Sequence, residues 1–416
     1  MEDQAHVRPD GRHLSDQITD KAISYIDRQK KAAPEKPFFL YYAPGATHAP
    51  HQVDRYWCDL YKGKFDKGWD AYREEVFERQ KKLGVIPADA KLPERNPDIK
   101  AWDKLTPEEQ KLYARFMEVY AGYLTYTDFE IGRLVNHLKE IGQLDNTLIF
   151  ISIGDNGASK EGTLSGDVDR ALWDKHLTEA ENISYNLKKI GEIGTPAATE
   201  GNYPLGWAQA ANTPFKFWKS DANSEGGTHN PLIVYWPKGI KEKGGIRTQY
   251  SHVIDILPTT LDLVGVQAPE EIRGIKQQPI EGTSLAYSID DAKAPTRHTV
   301  QYYYIFGSRS IYDHGWKAEL AYPNSFITGI ETPPFDENAW ELYNLNEDYT
   351  ERIDLAKKYP EKLAALKAEF EEQAKSHHLY PYITFDDVWN GRIHRSKDSK
   401  SFIDAVKDIT KAGENQ

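Results

Sequence analysis

The chain has 416 residues, 39% of them hydrophobic, which is enough for one large α/β domain with a smaller appended unit. Its formal net charge of -12 argues against nucleic acid as a partner, because phosphate binding depends on clustered Lys and Arg. No stretch approaches the roughly 20 apolar residues of a membrane span, so the sequence predicts none. The single cysteine excludes an intramolecular disulfide and a cysteine-rich zinc site.

The first hundred residues predict helices around one short strand. The first twenty residues contain no apolar stretch typical of a secretory signal, which leaves both the periplasm and the cytoplasm open. Apolar residues recur with helical spacing over residues 14–30, and prolines then end that helix. Residues 38–42 are all apolar or aromatic and predict a short buried strand. Residues 54–104 are charged and aromatic and predict a helical segment with long loops.

A long helix and a second strand follow. Thr106, Pro107 and Glu109 form a capping signal that predicts a helix continuing to about Gly142. The apolar run that follows, residues 147–153, predicts a buried parallel strand.

This strand ends on Gly154-Asp155-Asn156-Gly157, at the sheet edge where open α/β proteins hold ligands. A carboxylate beside a carboxamide suits a hard cation such as calcium or magnesium, but two ligands are too few to hold one. Taken alone, the same four residues are also typical of an ordinary turn.

The rest of the sequence divides into two parts. Residues 160–209 are polar and give little structural signal, residues 231–237 predict another buried strand, and residues 253–264 predict a helix that Gly265 ends. Beyond about residue 285 the pattern changes to short β-like runs (300–306, 309–312, 316–320 and 340–345) and an amphipathic helix (360–377). We therefore predict a main domain over residues 1–285 and a small α+β subdomain with an antiparallel sheet over residues 286–416, ending in a charged tail.

Three clusters occur in a fixed order along the chain: Thr47-His48-Ala49-Pro50, Gly154-Asp155-Asn156-Gly157, and Lys219 followed by Glu225-Gly226-Gly227. Together with the segments around them, from residues 18–23 to residues 340–345, this set resembles the sulfatase family of the alkaline-phosphatase-like superfamily, and bacterial arylsulfatases most. The resemblance implies an α/β fold, here a partial alkaline-phosphatase-like sandwich with a mostly parallel sheet between helices. It also implies hydrolysis of a small-molecule or glycan sulfate ester.

The resemblance implies a role for four residues. Asp155 and Asn156 are expected to bind a divalent cation, calcium in most of the family with magnesium as an alternative, and His48 and Lys219 are expected to contact the sulfate and the leaving ester oxygen. The chemistry agrees, because sulfuryl transfer needs a metal, cations and donors aimed at developing negative charge. Each residue also has a structural interpretation: His48 as a loop histidine and Lys219 as a surface lysine.

Three further histidines, His51, His229 and His252, lie near these motifs in sequence. We leave them outside the site, and His252, which precedes an apolar helix, is expected to be structural.

Two parts of a complete sulfatase site are not found in the sequence. The family uses a formylglycine made from Cys or Ser in a Cys/Ser-x-Pro-x-Arg motif, and Cys58 is followed by Asp59-Leu60-Tyr61-Lys62 instead. We expect Cys58 to be a buried apolar thiol. The two Pro-x-Arg matches start with Lys91 and Lys293, which cannot become formylglycine.

The family also has two adjacent aspartates at the end of its first strand. Here the acidic pairs, Asp290-Asp291 and Asp386-Asp387, come late in the chain and in the wrong order. We expect an incomplete sulfatase that is inactive alone, with the missing N-terminal portion as a candidate partner on a separate chain. Two alternatives stay open: a non-catalytic module that binds sulfate or sulfated glycans or pairs with a full-length paralogue, and a metal phosphoesterase of the same superfamily.

Overall fold

The computed structural model describes residues 10–322 and 339–384. Four helices open the described chain: α1 (Leu14–Ala32), α2 (Arg55–Asp59), α3 (Gly68–Leu83) and α4 (Pro107–Glu140). The predicted capping signal is confirmed, because the Thr106 hydroxyl accepts from Glu109 N at 3.2 Å and Thr106 N donates to the Glu109 carboxylate at 2.6 Å. The apolar faces of α1 and α4 pack together through Ala22, Ile26, Leu134 and Leu138.

The first sheet consists of β1 (Ile149–Ser152) and β2 (Leu232–Tyr235). These strands pair antiparallel, with Ile149 opposite Tyr235 and Ser152 opposite Leu232. The prediction of a parallel strand at residues 147–153 is therefore wrong in its direction. The predicted burial of residues 231–237 is wrong as well, since Ile233 and Tyr235 are exposed. An isolated apolar run does not determine the direction of the neighbouring strand.

The segment at residues 38–42 is extended but is not a strand, which corrects another prediction. Phe38, Leu40 and Tyr42 pack against the α1 and α4 cluster, whereas Phe39 is 85% exposed and Tyr41 is 83% exposed. One face of the segment is therefore covered by helices, and the other presents aromatic side chains to solvent.

Residues between the two strands fold into short helices: α5 (Ala171–Asp174), α6 (Glu179–Lys188), α7 (Leu205–Ala211) and α8 (Glu225–Thr228). Helix α7 joins α3 and α4 in an aromatic-rich core, in which Trp69, Trp102 and Trp207 pack edge to face. Residues 160–209 are thus well packed, although their polar composition gave little structural signal. After β2, α9 (Ile256–Val264) ends at Gly265 with φ 69°, as predicted, and a small hairpin follows, β3 (Glu271–Ile272) and β4 (Ile275–Lys276).

The C-terminal sheet matches its prediction. It has four antiparallel strands in the order β5 (Val300–Ile305), β6 (Ser308–Asp313), β7 (Trp316–Leu320) and β8 (Glu341–Asn344). Helix α10 (Pro360–Ser376) covers one face, and its Leu366, Phe370 and Ala374 pack on Ile311, Ala318 and Leu342. The α/β class and the C-terminal antiparallel sheet are confirmed, while the boundary between residues 285 and 286 stays a prediction.

The charged tail and the pair Asp386-Asp387 lie outside the described residues. None of the described helices is long and apolar enough to cross a membrane.

Candidate active site

The loop that follows β1 is tied to residues 212–230 by asparagine side chains and by one backbone hydrogen bond. Gly157 N donates to Asn230 Oδ1 at 3.2 Å, and Ala158 N donates to Asn212 Oδ1 at 2.9 Å. The Asn212 amide in turn donates to the carbonyl of Gly226 at 2.7 Å. The backbone N–H of Lys219 donates to the carbonyl of Ala158 at 2.9 Å. Two segments that are far apart in sequence, residues 157–158 and residues 212–230, are therefore fixed to each other.

Glycine is required where these segments meet. Gly157 has φ 84°, and a Cβ at this position would lie 2.2 Å from the carbonyl oxygen of Gly226. A Cβ at Gly226 would lie 2.1 Å from the carbonyl oxygen of Phe217. Since real Cβ atoms do not approach backbone this closely, any larger residue would push the segments apart.

His48 and Lys219 lie in direct contact. Lys219 Nζ is 3.0 Å from His48 Nε2, although the two residues are 171 positions apart in sequence. The other ring nitrogen, Nδ1, is 2.7 Å from the carbonyl oxygen of Ala49. A carbonyl oxygen only accepts, so Nδ1 carries a proton and Nε2 accepts from the lysine ammonium. The structure thus brings together the two residues expected to contact sulfate.

A third residue, Glu161, joins this pair. Its Oε1 is 2.9 Å from Lys219 Nζ, and its Oε2 is 4.0 Å from His48 Nε2. The sequence analysis missed it, because an acidic residue six positions after Asp155 resembles any solvated loop glutamate. The same is true of Asn212 and Asn230, whose amides give no sequence signal apart from ordinary turn propensity.

Asp155 is exposed and Asn156 is half-buried on the loop fixed by Asn212 and Asn230. Oxygen donors of this kind fit a hard cation such as calcium or magnesium. Within residues 10–322 and 339–384, however, no group of three or more His, Cys, Asp or Glu side chains is placed to hold a metal ion. The described chain therefore supplies two oxygen donors and no complete metal site.

A buried ionic cluster lies beneath the Glu225-Gly226-Gly227 turn. Lys317 Nζ is 2.7 Å from Glu225 Oε1 and 3.1 Å from Glu351 Oε1, and His229 Nδ1 is 2.7 Å from Glu225 Oε2. Burial opposes ionisation, but Lys317 and His229 hold the pKa of Glu225 well below its usual range. Glu225 and Glu351 likewise hold the pKa of Lys317 well above its usual range against the effect of burial. The cluster links the turn to β7 of the C-terminal sheet.

The remaining histidines and the cysteine have structural surroundings. His51 is buried and stacked on Tyr203 at 5.3 Å, and burial lowers the pKa of His51 to about 3. His252 accepts from Ile254 N and caps the turn before α9, in agreement with its expected structural role. Cys58 is fully buried, as predicted, and burial raises the pKa of its thiol.

These observations define an α/β protein in which a His–Lys pair suited to an anion lies beside a loop with two oxygen donors for a cation. Residues 2–266 match the family described as Sulfatase, and residues 217–378 match the family described as N-sulphoglucosamine sulphohydrolase, C-terminal. The chain belongs to the sulfatase family, within the alkaline-phosphatase-like superfamily.

Individual relatives agree with this assignment. The chain is 33% identical over 348 residues to an uncharacterized sulfatase of Schizosaccharomyces pombe, covering 83% of this chain and 59% of that protein. It is 30% identical over 291 residues to an arylsulfatase of Klebsiella aerogenes, covering 70% of this chain and 58% of that one. The chain thus spans about three fifths of the length of these two relatives.

Solved structures show the same fold. The crystal structure of Ps i-CgsB superimposes with a TM-score of 0.54 at 19% identity, covering 99% of this chain and 64% of that chain. A second structure of the same protein, in complex with k-i-k-neocarrahexaose, gives a TM-score of 0.50 at 19% identity, with 89% and 56% covered.

Proposed function

We propose that this chain is part of an arylsulfatase-type sulfuric ester hydrolase, which cleaves a sulfate ester to an alcohol or phenol and sulfate. The contact between Lys219 Nζ and His48 Nε2 at 3.0 Å is the observation that carries this proposal. Membership of the sulfatase family and the backbone bonds that join the loops of Asp155 and Lys219 support it. The proposed substrate is a small-molecule or glycan sulfate ester, and the glycan-bound relative described above supports the second class.

The roles follow from the chemistry of the groups. The Lys219 side chain is only 15% exposed, so its charge is less screened by water and attracts the sulfate oxygens more strongly. His48 is 63% exposed, so its ring is accessible to the ester oxygen that leaves. Contact with that oxygen requires Nε2 to carry a proton that it donates there, in place of the hydrogen bond that it accepts from Lys219 in this structure. The proposed roles are therefore charge stabilisation for Lys219 and contact with the leaving oxygen for His48.

We assign the metal ligands of this site to Asp155 and Asn156. A bound calcium ion, or magnesium as the alternative, would polarise the sulfate oxygens as a Lewis acid. The fixed loop holds both side chains at the sheet edge, next to the segment of Lys219. Other ligands, and a formylglycine nucleophile, have to come from polypeptide other than these 416 residues, since the sequence contains neither the aspartate pair in the expected position nor a Cys/Ser-x-Pro-x-Arg motif.

This chain exposes aromatic and apolar side chains around its first sheet. Phe39 and Tyr41 are more than 80% exposed, and Ile233 and Tyr235 are also exposed on β2. Within the described residues β1 and β2 pair only with each other, which leaves backbone donors and acceptors along their outer edges. Exposed aromatic residues and open strand edges are typical of surfaces that another segment covers. We propose that the N-terminal portion of a sulfatase domain covers this surface.

The test is complementation. The chain is mixed with a polypeptide that carries the aspartate pair and an already converted formylglycine segment, and hydrolysis of 4-nitrophenyl sulfate is followed with calcium and after chelation. We expect no turnover by either chain alone and calcium-dependent turnover by the pair, with Lys219→Ala lowering it by at least about a hundredfold.

Two other results would contradict parts of this proposal. Turnover by the lone chain would show that the nucleophile is encoded here after all. A tight complex that binds sulfate without turning over the ester would favour the alternative, a non-catalytic module that binds sulfate or sulfated glycans.

A further inference from the structure

We propose that Glu161 is a positioning residue for the sulfate-contacting pair, acting on His48 through Lys219. This inference rests on the proposed function, since it assigns Lys219 to the sulfate. Neither the sequence motifs nor the family resemblance points to this carboxylate. The geometry does, because the Lys219 ammonium has one short contact to Glu161 Oε1 at 2.9 Å and one to His48 Nε2 at 3.0 Å.

An ammonium group has three N–H donors. The contacts to Glu161 and His48 direct two of them, and the backbone of Lys219 is itself fixed by its bond to Ala158. A lysine side chain otherwise samples many rotamers, so a carboxylate that fixes its end also fixes the direction of the third N–H. Glu161 thereby orients the donor that the proposed function assigns to sulfate.

Glu161 is anchored independently of Lys219. Ser159 Oγ donates to Glu161 Oε2 at 3.2 Å, and Glu161 N donates back to Ser159 Oγ at the same distance. Ser159 is held in turn by the Asn202 amide, which donates to its Oγ at 3.1 Å, and by Tyr203 Oη, which accepts from its N–H at 3.1 Å. These hydrogen bonds therefore hold the Glu161 carboxylate in place without any contribution from Lys219.

The charge of Glu161 has a second consequence. A carboxylate beside the lysine weakens the attraction of the ammonium for free sulfate, while it improves the alignment of the N–H donors. Alignment favours the transition state, whereas uniform attraction favours bound substrate and product equally. Glu161 thus lowers the affinity for sulfate and keeps the geometry of the pair, and these two effects are separable by measurement.

The experiment compares Glu161→Gln with a matched control, Glu192→Gln. Glu192 forms a 3.0 Å pair with Lys189 and is 40% exposed, close to the 2.9 Å and 39% of Glu161 in its pair with Lys219. Nitrogen-15 NMR of the purified chain reports the tautomer of His48 and the protected ammonium signal of Lys219. Calorimetric titration with sodium sulfate gives the affinity, and Lys219→Ala identifies binding at this site.

We expect Glu161→Gln to abolish the Lys219 ammonium signal, to mix the His48 tautomers and to tighten sulfate binding about fivefold. Glu192→Gln should leave the Lys219 signal, the His48 tautomer and the sulfate affinity unchanged. An unaltered Lys219 signal and His48 tautomer in Glu161→Gln would overturn the inference. Sulfate binding that is absent, or indifferent to Lys219→Ala, would instead contradict the proposed function, and the NMR comparison would still decide the role of Glu161.

Discussion

The two sheets of this protein differ in how completely they are covered. The C-terminal sheet has four strands, a helix on one face and fully buried Ile311, Ala318 and Leu342. The first sheet has two described strands, and Ile233 on β2 is 46% exposed. The strands of the first sheet are the more apolar of the two sets, so composition does not explain the difference. What differs is the number of neighbours that the described residues provide.

This comparison distinguishes a sheet that is stabilised by its own hydrophobic core from a sheet that the described residues cover on one side only. The C-terminal sheet has its own core and needs nothing further to bury its apolar side chains. The first sheet is held from one side by α1 and α4, and its other surface is available to a partner. The candidate site lies on loops attached to the first sheet, but its Glu225 turn is anchored in the second through Lys317.

The largest expected effect comes from breaking that anchor. Lys317→Met removes the only fully buried cation described in the cluster and leaves Glu225 and Glu351 buried without it. We expect the free energy of unfolding in urea to fall by about 3–5 kcal/mol, the usual result of removing one partner of a buried ion pair. The control is Lys362→Met, whose partly exposed pair with Asp313 should cost less than about 1 kcal/mol. Equal effects of the two variants would show that the anchor is dispensable.

Matched truncations in the two sheets test the comparison directly. Leu342→Ala removes a fully buried side chain from β8, and we expect it to lower the free energy of unfolding by about 2–5 kcal/mol. Ile233→Ala on β2 should cost less than about 1 kcal/mol in the chain alone, because nearly half of that side chain is in water. Chemical denaturation measures both. A large loss in Ile233→Ala would mean that β2 is already covered.

The packing of the site loops makes a smaller and more specific prediction. Gly157→Ala should cost about 2–3 kcal/mol, because it combines a left-handed backbone with a Cβ placed 2.2 Å from the Gly226 carbonyl oxygen. Gly142→Ala also has a positive φ, 68°, but its Cβ would meet nothing within 4 Å, so about 1 kcal/mol is expected. The difference in unfolding midpoint between the two variants isolates the steric part. Equal losses of unfolding free energy in the two variants would show that the close approach of the loops does not contribute to stability.

The smallest effect concerns a pair that joins the two regions, Asp255 before α9 and His298 before β5, with Nδ1 and Oδ2 2.8 Å apart. Burial lowers the pKa of His298, but its hydrogen bond to Asp255 outweighs this and raises it above 6.5. Burial raises the pKa of Asp255, but the same bond and backbone N–H groups hold it below 3.8. The pair therefore stabilises the fold fully between pH 3.8 and 6.5.

This stabilisation is lost as the pH rises through the raised pKa of His298, and also as it falls through the lowered pKa of Asp255. The difference in unfolding free energy between the natural chain and His298→Gln should accordingly shrink above pH 6.5. Urea unfolding at a series of pH values measures it. A difference that stays constant across this range would rule out a contribution from the charged pair.

Helix boundaries were predictable because their signals are local. The Thr106 and Glu109 side chains close the start of α4 on their own backbone, and Gly265 ends α9 by its own conformation. The direction and the burial of the strands were not predictable, since both depend on a neighbouring strand or helix that the local sequence does not specify. Residues 38–42 show this best, being apolar throughout and yet buried on one side only.

The candidate site divides in the same way. His48, Asp155, Asn156 and Lys219 were proposed through a resemblance in their order along the chain. The structure places His48 and Lys219 in contact, and their role toward sulfate stays a prediction. The metal role of Asp155 and Asn156 stays a prediction. Glu161, Asn212 and Lys317 were not found, because what each contributes is a distance to a residue remote in sequence, and no spacing rule encodes it.

The bond between Glu225 and Lys317 also imposes an order of assembly. The two residues are 92 positions apart, so Glu225 leaves the ribosome long before its partner is synthesised. Until β7 forms, a buried carboxylate beneath the Gly226 turn has no ammonium to neutralise it, and the turn that holds Gly157 in place is not yet secured. A chain cut short before Trp316 would therefore lose more than its C-terminal sheet, because the Glu225 turn that contacts Gly157 would also lack its buried cation.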